Sequence, residues 1–416
     1  MSILQREEYV IDLQNTTPLL VGWYEPTIAD KQGLRASEIK GLWHWWARAF
    51  VAGAMYDLGV LKGEGTKNIL LKPTREETGV IACIVGRVLG LGYAGREGAE
   101  ASRFTLSTEY LGRGGLSSRS YEDGLQRIRL LALGGRRVYG YPPGYMFRVV
   151  VRRRLKKYDD AEIAALKILV TALQLSGIGK GSRRGLGSLD VKPPEVVRER
   201  SFKDLVESTY TSCVEIVNKV ISGQIRECSD VVRQLGKLGA IEKVARATGA
   251  PPPLPSISKR LLGNLPAAQI LIVRNTTFPI IHNFFVRSER CRVLVGSSIC
   301  NDDLRNNLAA WVLGLPRGRV REGEGTGYLI RSKDVSRRAS PVFISFHGRF
   351  NVFDEGVYIS LLLSGDWPTR LEWFGGGRST NITIDVKSLH NAYNVAITEL
   401  KEYLKKVNAT IQQIWP

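Results

Sequence analysis

Three side chains that can carry positive charge recur every four residues in the segment 34–50, LRASEIKGLWHWWARAF. Residues four apart are neighbours on a helix, so Lys40, His44 and Arg48 are predicted to line one face, where they can hold an anion such as a phosphate. Apolar side chains take most of the opposite side: Ile39, Leu42, Trp43, Trp46, Ala49 and Phe50. The pattern predicts an amphipathic helix with Trp43 and Trp46 in the core, and with a basic face that either binds a ligand or is only solvated.

A glycine-rich stretch at residues 176–189, SGIGKGSRRGLGSL, is the second candidate site. It places Lys180, Ser182, Arg183 and Arg184 among five glycines. Glycine lets a backbone approach a phosphate closely, and arginine adds bidentate contacts to phosphate oxygens. A nucleotide-hydrolysing P-loop is not expected, because residue 174 is not the glycine that this motif needs and residue 181 is neither Ser nor Thr. We predict a phosphate-binding loop, with an unliganded surface loop as the alternative.

Other signals for enzyme chemistry or for a cofactor are weak. The GLGYAG motif at residues 90–95 follows a predicted helix, whereas a dinucleotide-binding loop follows a strand. The four histidines are scattered and lack the close HxH, HExxH or HD spacing of hydrolytic metal sites. The sequence therefore predicts no catalytic residue, no metal site and no cofactor.

The net charge indicates a polyanionic partner. The 416 residues include 59 Lys and Arg against 40 Asp and Glu, which gives a net charge of +19. Nucleic acid fits this excess best, and a charge that serves only solubility or assembly is the alternative. A membrane is not expected, because no window approaches about 18 uninterrupted apolar residues and the N-terminal residues are polar and charged.

The five cysteines predict neither a disulfide framework nor a zinc site. Their number is odd, and no two of them form a CxxC pair. They are expected to be buried small hydrophobic residues, and the pattern fits a protein of the reducing cytoplasm.

Periodicity and capping signals predict an α+β fold with two modules. The first module has predicted helices at 37–58, at 74–89 and from 159 or 160 to 175. Its predicted strands are at 8–22 (a strand and turn), 104–110, 145–155 and 188–191. The second has predicted strands at 269–273, 328–330, 342–346 and 356–363 and predicted helices at 302–313 and 386–407.

Between the two modules, residues 202–247 are predicted to be helical, and the GAPPPLP stretch at 249–255 is predicted to be a linker. The expected organisation is a first module over residues 1–195, a helical insertion with the Pro-rich linker over 196–265, and a second module over 266–416.

Three stretches resemble the RAMP superfamily of CRISPR proteins, and within it the family of the first subunit of the Cmr (type III-B) effector complex. TPLLVGWYEP with LRASEIKGLWHWWARAF is similar to the family's N-terminal strand and helix. SGIGKGSRRGLGSL is similar to the superfamily's glycine-rich loop, and WVLGLPRGR followed by RRASPVFISF is similar to a downstream segment. One departure is His44, where the family often has an arginine.

This resemblance implies two ferredoxin-like (RRM-like) modules, a position near the 3′ end of the guide RNA beside another RAMP subunit, and contact with guide or target RNA. It implies no established role in cleavage. The RNA-contacting residues carried over to this chain are Lys40, His44 and Arg48 of the helix and Lys180, Ser182, Arg183 and Arg184 of the loop. A basic protein of this kind is expected to bind RNA through phosphates, with little dependence on base sequence.

Two other functions stay open at this point. The chain could be a metal-independent RAMP endoribonuclease that processes CRISPR RNA, with His44 as general acid or base and with Lys180 or an arginine stabilising the developing charge. Alternatively, it could be an assembly subunit that makes no direct contact with RNA.

Overall fold

The computed structural model describes residues 7–22, 28–95, 98–121, 125–132, 137–237, 249–286, 293–295, 299–318, 328–348, 350, 352–375 and 377–416. Helices and antiparallel sheets are mixed along the chain, as the predicted α+β class requires. We keep the names first module and second module for the parts within residues 1–195 and 266–416. These boundaries stay a prediction.

The helices of the described residues are α1 (Ala36–Asp57), α2 (Arg75–Cys83), α3 (Gln126–Leu131), α4 (Asp159–Leu175), α5 (Phe202–Ile221), α6 (Ser229–Lys237), α7 (Phe278–Val286), α8 (Asp303–Asn306) and α9 (Val386–Lys406). The Thr74–Glu77 capping box predicted for α2 is present, and this helix continues as a π turn over Ile84–Val88.

The strands of the first module are β1 (Glu7–Asn15), β2 (Tyr93–Gly95), β3 (Gly98–Glu100), β4 (Phe104–Tyr110), β5 (Arg119–Tyr121), β6 (Val138–Gly140), β7 (Met146–Arg153) and β8 (Leu189–Lys192). The later strands are β9 (Leu261–Leu262), β10 (Leu265–Pro266), β11 (Ala268–Arg274), β12 (Val293–Val295), β13 (Ile299–Asn301), β14 (Arg317–Gly318), β15 (Tyr328–Arg331), β16 (Val342–His347), β17 (Gly356–Leu362), β18 (Arg370–Gly375), β19 (Arg378–Thr383) and β20 (Thr410–Trp415).

The main sheet of the first module has the antiparallel order β4–β7–β1–β8. Alternation along β7 buries Phe147, Val149 and Val151, while the side chains between them are half-buried. Period-2 alternation of this kind gives a sheet with one core face and one open face. Helices α1 and α4 contact each other, and they also contact β4 and β8 respectively, so they cover the core face of this sheet.

The main sheet of the second module has the corresponding antiparallel order β16–β17–β11–β20. Its two central strands carry buried side chains at successive positions, so the sheet is covered on both faces. Part of this cover comes from helices that precede the second module: Trp46 of α1 lies 5.2 Å from Phe343, and Tyr210 of α5 lies 4.9 Å from Trp415, between ring centroids.

The Pro-rich stretch that was predicted to link the modules is buried. Pro251, Pro252 and Pro253 are all buried. The backbone N–H of Ile257 donates to the carbonyl oxygen of Ala49 at 2.9 Å. A Cβ atom at Gly53 would overlap the Ile257 carbonyl oxygen, so the chain crosses α1 in direct contact with its backbone.

Two sequence predictions need correction. The predicted helix at 302–313 is only the short α8 followed by a 3-10 turn at Ala310–Leu313, because Leu308 between them has a φ of 52°. Cys83 and Cys228 form a disulfide between two buried positions, against the expectation of free thiols. Cys213 is free and buried as predicted, whereas Cys291 and the side chain of Cys300 lie outside the described residues. No helix within the described ranges is both long enough and apolar enough to cross a membrane.

Candidate nucleic-acid interface

Helix α1 presents the predicted basic face. Arg48 is exposed, and Lys40 and His44 are half-buried. Glu38, the acidic residue of the first turn, forms an ion pair with Arg35, with 2.6 Å between the guanidinium nitrogen and the carboxylate oxygen. Lys40 and Arg48 make neither a hydrogen bond nor an ion pair with any residue that the structure describes. Both charges are therefore available to an anion from outside.

The opposite side of α1 is fixed in the core. Trp43 and Trp46 are buried, which confirms their interpretation as core residues. Their indole N–H groups donate to the carbonyl oxygen of Ala165 at 2.7 Å and to the hydroxyl of Ser176 at 2.8 Å. A buried indole needs such a partner, and the two bonds determine how the helix is rotated about its axis. They therefore hold the basic face outward.

His44 is neutral at pH 7. Burial is the largest influence and lowers the pKa of its imidazole below the ordinary value of 6.5. The charges of Lys40 and Arg48 lower this pKa further, while a hydrogen bond with the backbone of Leu91 acts in the opposite direction. A neutral imidazole contributes hydrogen bonds to a phosphate but no charge.

The glycine-rich loop is folded tightly against protein atoms. Gly179 and Gly185 have φ values of 84° and 80°, in the left-handed region. A Cβ at Gly179 would come within 2.6 Å of the Leu20 carbonyl oxygen, and a Cβ at Gly185 would overlap the ring of Phe278 in α7. These glycines are therefore needed for packing within the first module and against the second.

Arg183 and Arg184 reach into the second module. Arg183 donates to the carbonyl oxygen of Ser340 at 2.5 Å and lies over the ring of Phe343, 4.4 Å from its centroid. Arg184 donates to the carbonyl oxygens of Leu313 at 3.0 Å and Val342 at 3.3 Å. We call this contact, between residues 183–185 of the loop and residues 278, 313, 340, 342 and 343, the seam.

Burial at the seam changes the acidity of both guanidinium groups. It lowers the pKa of Arg183 to about 10, with the charge of Arg338 acting in the same direction. Burial also holds the pKa of Arg184 well below its ordinary value, and the charges of Arg317, Arg127 and Arg183 add to the effect. The structure thus brings Arg183 and Arg184 together between the modules rather than on the open surface.

The remaining loop residues lie on the first-module side. The Lys180 backbone N–H donates to the carbonyl oxygen of Leu20 at 2.9 Å, and its ammonium lies beside Gly22, 3.2 Å from the position of a Cβ there. Burial lowers the pKa of Lys180. Ser182 is half-buried and opens the short 3-10 turn of the loop. Helix α1 and the glycine-rich loop contact each other at Trp45, whose ring centroid lies 5.1 Å from the Arg183 guanidinium carbon.

Sequence reasoning missed three residues around the seam. His282 of α7 accepts a hydrogen bond from the Arg127 backbone N–H at 3.1 Å and lies 2.7 Å from the Arg184 carbonyl oxygen. Arg337 is close enough for its charge to lower the pKa of Arg127. The RIRLL and RRASP stretches show these arginines as basic residues, but nothing local indicates that they converge.

Ser345, His347 and Asp190 have the residue types of a hydrolytic triad but are buried. The Ser345 hydroxyl donates to the Gln174 carbonyl oxygen at 2.7 Å and lies 2.8 Å from Nε2 of His347. Nδ1 of His347 lies 3.0 Å from Asp190 Oδ1. All three residues are buried, with the hydroxyl already bonded. The network links β8 and α4 to β16 and offers no nucleophile to a substrate. Within the described part of the chain, no group of three or more His, Cys, Asp and Glu could hold a metal ion.

The family model of the RAMP superfamily matches residues 12–190. This segment, which is less than half of the chain, is similar to the RAMP superfamily. All seven residues predicted to contact RNA lie within the matched segment, although the side chains of Arg183 and Arg184 extend from it into the second module. The resemblance found in the sequence is therefore confirmed at the level of the superfamily.

Comparisons over the whole chain give weaker likenesses. Cmr1 from Pyrococcus furiosus, in its apo form, is 16% identical, with 98% of this chain and 99% of that chain covered and a TM-score of 0.45. A chain of the type III-B Cmr-beta complex bound to cognate target RNA is 12% identical, with 94% of this chain and 100% of that chain covered and a TM-score of 0.49. No curated protein matches the sequence.

Proposed function

We propose that this protein is an RNA-binding subunit of a type III-B (Cmr) CRISPR effector complex, located in the cytoplasm. It contacts guide RNA near its 3′ end, target RNA, or both, beside other RAMP subunits. The proposal is supported by the match of residues 12–190 to the RAMP superfamily, by the three stretches that resemble the Cmr subunit family, and by the net charge of +19.

The observation that carries the proposal is the pair of unpaired cations on α1. Lys40 and Arg48 stand two helical turns apart, and no described carboxylate neutralises either of them. Two such turns span about 11 Å, a distance over which successive phosphates of one strand can be contacted. Binding through phosphates suits a subunit that must accept guide RNAs of any sequence.

The strand order supports the finer fold assignment. In both modules the chain runs strand, helix, two strands, helix, strand for its main sheet, in the spatial order second–third–first–fourth. This is the order of the split β-α-β unit, and we assign both modules to the ferredoxin-like class on that basis.

The seven predicted residues divide into two roles under this proposal. Lys40 and Arg48, with His44 between them, contact the RNA directly. Arg183 and Arg184 act through the seam, because both guanidinium groups are buried there and donate to carbonyl oxygens of the second module. Loss of the loop arginines is therefore expected to reduce stability as well as RNA binding.

The proposal is tested by binding of labelled single-stranded RNA across a salt series, with the wild type and the double variant Lys40→Gln/Arg48→Gln. Loss of two phosphate contacts should weaken binding by at least about tenfold at moderate salt and reduce the salt slope by about 1.4. The matched control is Lys401→Gln/Lys405→Gln, which removes two exposed lysines from α9. An equal loss in both variants would mean that only net charge matters and would contradict the assignment.

Catalysis is examined in the same reactions. We propose that the protein does not cut RNA by itself. The neutral imidazole of His44 between two cations is, however, an arrangement that suits a general base. If labelled RNA is cut by the wild type and not by His44→Ala, the protein is an endoribonuclease. RNA that stays intact after long incubation supports the binding role.

A further inference from the structure

Helix α1 contains a glycine, Gly41, that the packing of the protein does not explain. In a helix interior only proline is less favourable than glycine, which loses the most backbone freedom on folding. The other glycine of α1 has a reason, because a Cβ at Gly53 would overlap the carbonyl oxygen of Ile257. Gly41 is exposed, and among the described residues nothing lies within 4 Å of a Cβ at this position. The open space at Gly41 therefore needs another explanation.

This glycine belongs to the basic face of α1. Successive helical residues are rotated by about 100°, so five positions of the helix fall within one arc of about that width. From one edge of the arc to the other they are Lys40, His44, Ser37, Arg48 and Gly41. All five are exposed or half-buried. The open space thus lies beside Lys40 and Arg48, which make no hydrogen bond or ion pair with any described residue.

The Gly41 edge of this arc is directed toward the glycine-rich loop. Trp45 lies about one turn after Gly41 and about 40° further around the helix. Its half-buried ring lies 5.1 Å from the guanidinium carbon of Arg183 and 4.9 Å from the ring of Phe343, measured from the ring centroid. A ligand that crosses α1 at Gly41 would therefore pass from the two cations toward the glycine-rich loop.

The combination favours the backbone of a nucleic acid as the ligand. A glycine lets a partner reach the main chain, whereas any other residue holds it away by at least a Cβ. A helix of another protein could use the same space, but it would take Lys40 and Arg48 out of water, which is costly unless acidic partners are supplied. Phosphates supply that pairing along the whole strand, and the uncharged sugars between them can lie against the helix.

We infer that a ribose of the bound RNA strand packs directly on the backbone of α1 at Gly41, between phosphates held by Lys40 and Arg48. Gly41 is then a positioning residue, because it sets how closely the strand approaches the helix. The inference rests on the proposed function for the identity of the ligand. It adds a requirement of shape to a site that is otherwise defined by charge.

The first experiment separates RNA binding from stability with Gly41→Ala and Gly41→Leu. Alanine and leucine both favour a helix more than glycine does, so both variants should melt at the wild-type temperature or above it. Binding of a labelled uridine oligonucleotide should nevertheless weaken, by about fivefold with alanine and by at least about tenfold with leucine. Neither change alters a charge, so the slope of affinity against salt should match the wild type.

The matched controls are Thr211→Ala and Thr211→Leu on α5. Thr211 is exposed and lies outside the basic face. These substitutions also raise helix propensity and leave the net charge unchanged. Both control variants should bind the oligonucleotide like the wild type.

The second experiment tests whether RNA covers this part of the helix. In Gly41→Cys the introduced thiol is exposed and should react with iodoacetamide, with the wild type measured in parallel as the background. A saturating uridine oligonucleotide should slow the reaction several-fold. In Thr211→Cys the rate should be the same with and without the oligonucleotide.

The outcomes separate this contact from the proposed function. Unchanged affinity in the Gly41→Ala variant, or an introduced thiol that RNA does not protect, overturns the contact. The proposed function then still stands if Lys40→Gln/Arg48→Gln weakens binding. Equal weakening in the Gly41 and Thr211 variants also overturns the contact. A wild-type protein that does not bind RNA at all overturns both.

Discussion

The two main sheets have the same strand order but opposite surroundings. The open face of the first sheet carries Asp12 paired with Arg148 at 2.8 Å and Glu8 paired with Arg152 at 2.5 Å. In the second sheet, every residue of β17 is buried. One topology thus supports a solvated, charge-balanced face in the first module and a sheet enclosed on both sides in the second.

The difference shows that the second module depends on the first module and on α5 for its core. Phe343 is covered by Trp46, Trp415 by Tyr210, and Ser345 is bonded to the carbonyl oxygen of Gln174. A sheet freed from these partners would expose apolar surface on one whole face. We therefore regard the two modules as one cooperative unit joined by a shared core, whereas the open face of the first sheet contributes little to stability.

The largest effect is expected where the Pro-rich stretch crosses α1. Gly53→Ala places a Cβ against the Ile257 carbonyl oxygen and should lower the free energy of unfolding by about 3 kcal/mol or more, measured by urea denaturation. Gly41→Ala is the control on the same helix. Nothing lies within 4 Å of a Cβ there, so this change should stabilise by up to about 1 kcal/mol. Equal behaviour of the two variants would show that the stretch is not held against α1.

A pH-dependent effect is expected at His282. Its Nε2 accepts from the Arg127 N–H, so the ring proton must be on Nδ1, where it faces the Arg184 carbonyl oxygen. Burial lowers the pKa of this imidazole from 6.5 to about 4. The unfolded chain therefore binds a proton more readily, and stability should fall as the pH decreases from 6.5 to 4.

The expected loss from His282 is about 3 kcal/mol over that interval. Carboxylates titrate in the same range, so the quantity to measure is the difference between the wild type and His282→Asn in unfolding free energy at pH 7 and pH 4. The asparagine variant should lose less stability on acidification. Parallel pH profiles would contradict a neutral histidine at the seam.

A smaller effect is expected from comparing one valine on the first strand of each sheet. Val273 of β11 is fully buried, whereas Val10 of β1 is 41% exposed. Val273→Thr buries a hydroxyl and should cost about 2 kcal/mol, while Val10→Thr should change the free energy of unfolding by less than about 0.5 kcal/mol. Chemical denaturation of both variants measures the contrast. A similar loss of unfolding free energy at the two positions would contradict the conclusion that the second sheet is covered on both faces and the first on only one.

The sequence predicted best what depends on neighbouring residues. The spacing of Trp43 and Trp46 correctly predicted that both are buried, and the Thr74–Glu77 capping box correctly predicted where α2 begins. Both predictions use residues only a few positions apart, which is the range over which helix faces and caps are determined. The RAMP superfamily could be recognised for the same reason, since its motifs are continuous stretches.

What the sequence did not reveal depends on contacts between distant residues. Cys83 and Cys228 are 145 positions apart, and no local spacing links them. Arg183 and Arg184 were expected to contact phosphate, but their hydrogen bonds go to backbone oxygens more than a hundred residues further along. A glycine-arginine loop has the same composition whether it binds RNA or packs against another part of its own chain. Only the tertiary fold determines which of the two it contacts.

The Cys83–Cys228 disulfide also affects the covalent topology of the molecule. It closes a ring that includes β4, β7, α4 and the glycine-rich loop. The exposed residues 112–115 lie on this ring, where a protease could cut the backbone once. The nicked protein would remain a single covalent molecule, and its two fragments would separate on a denaturing gel only after reduction.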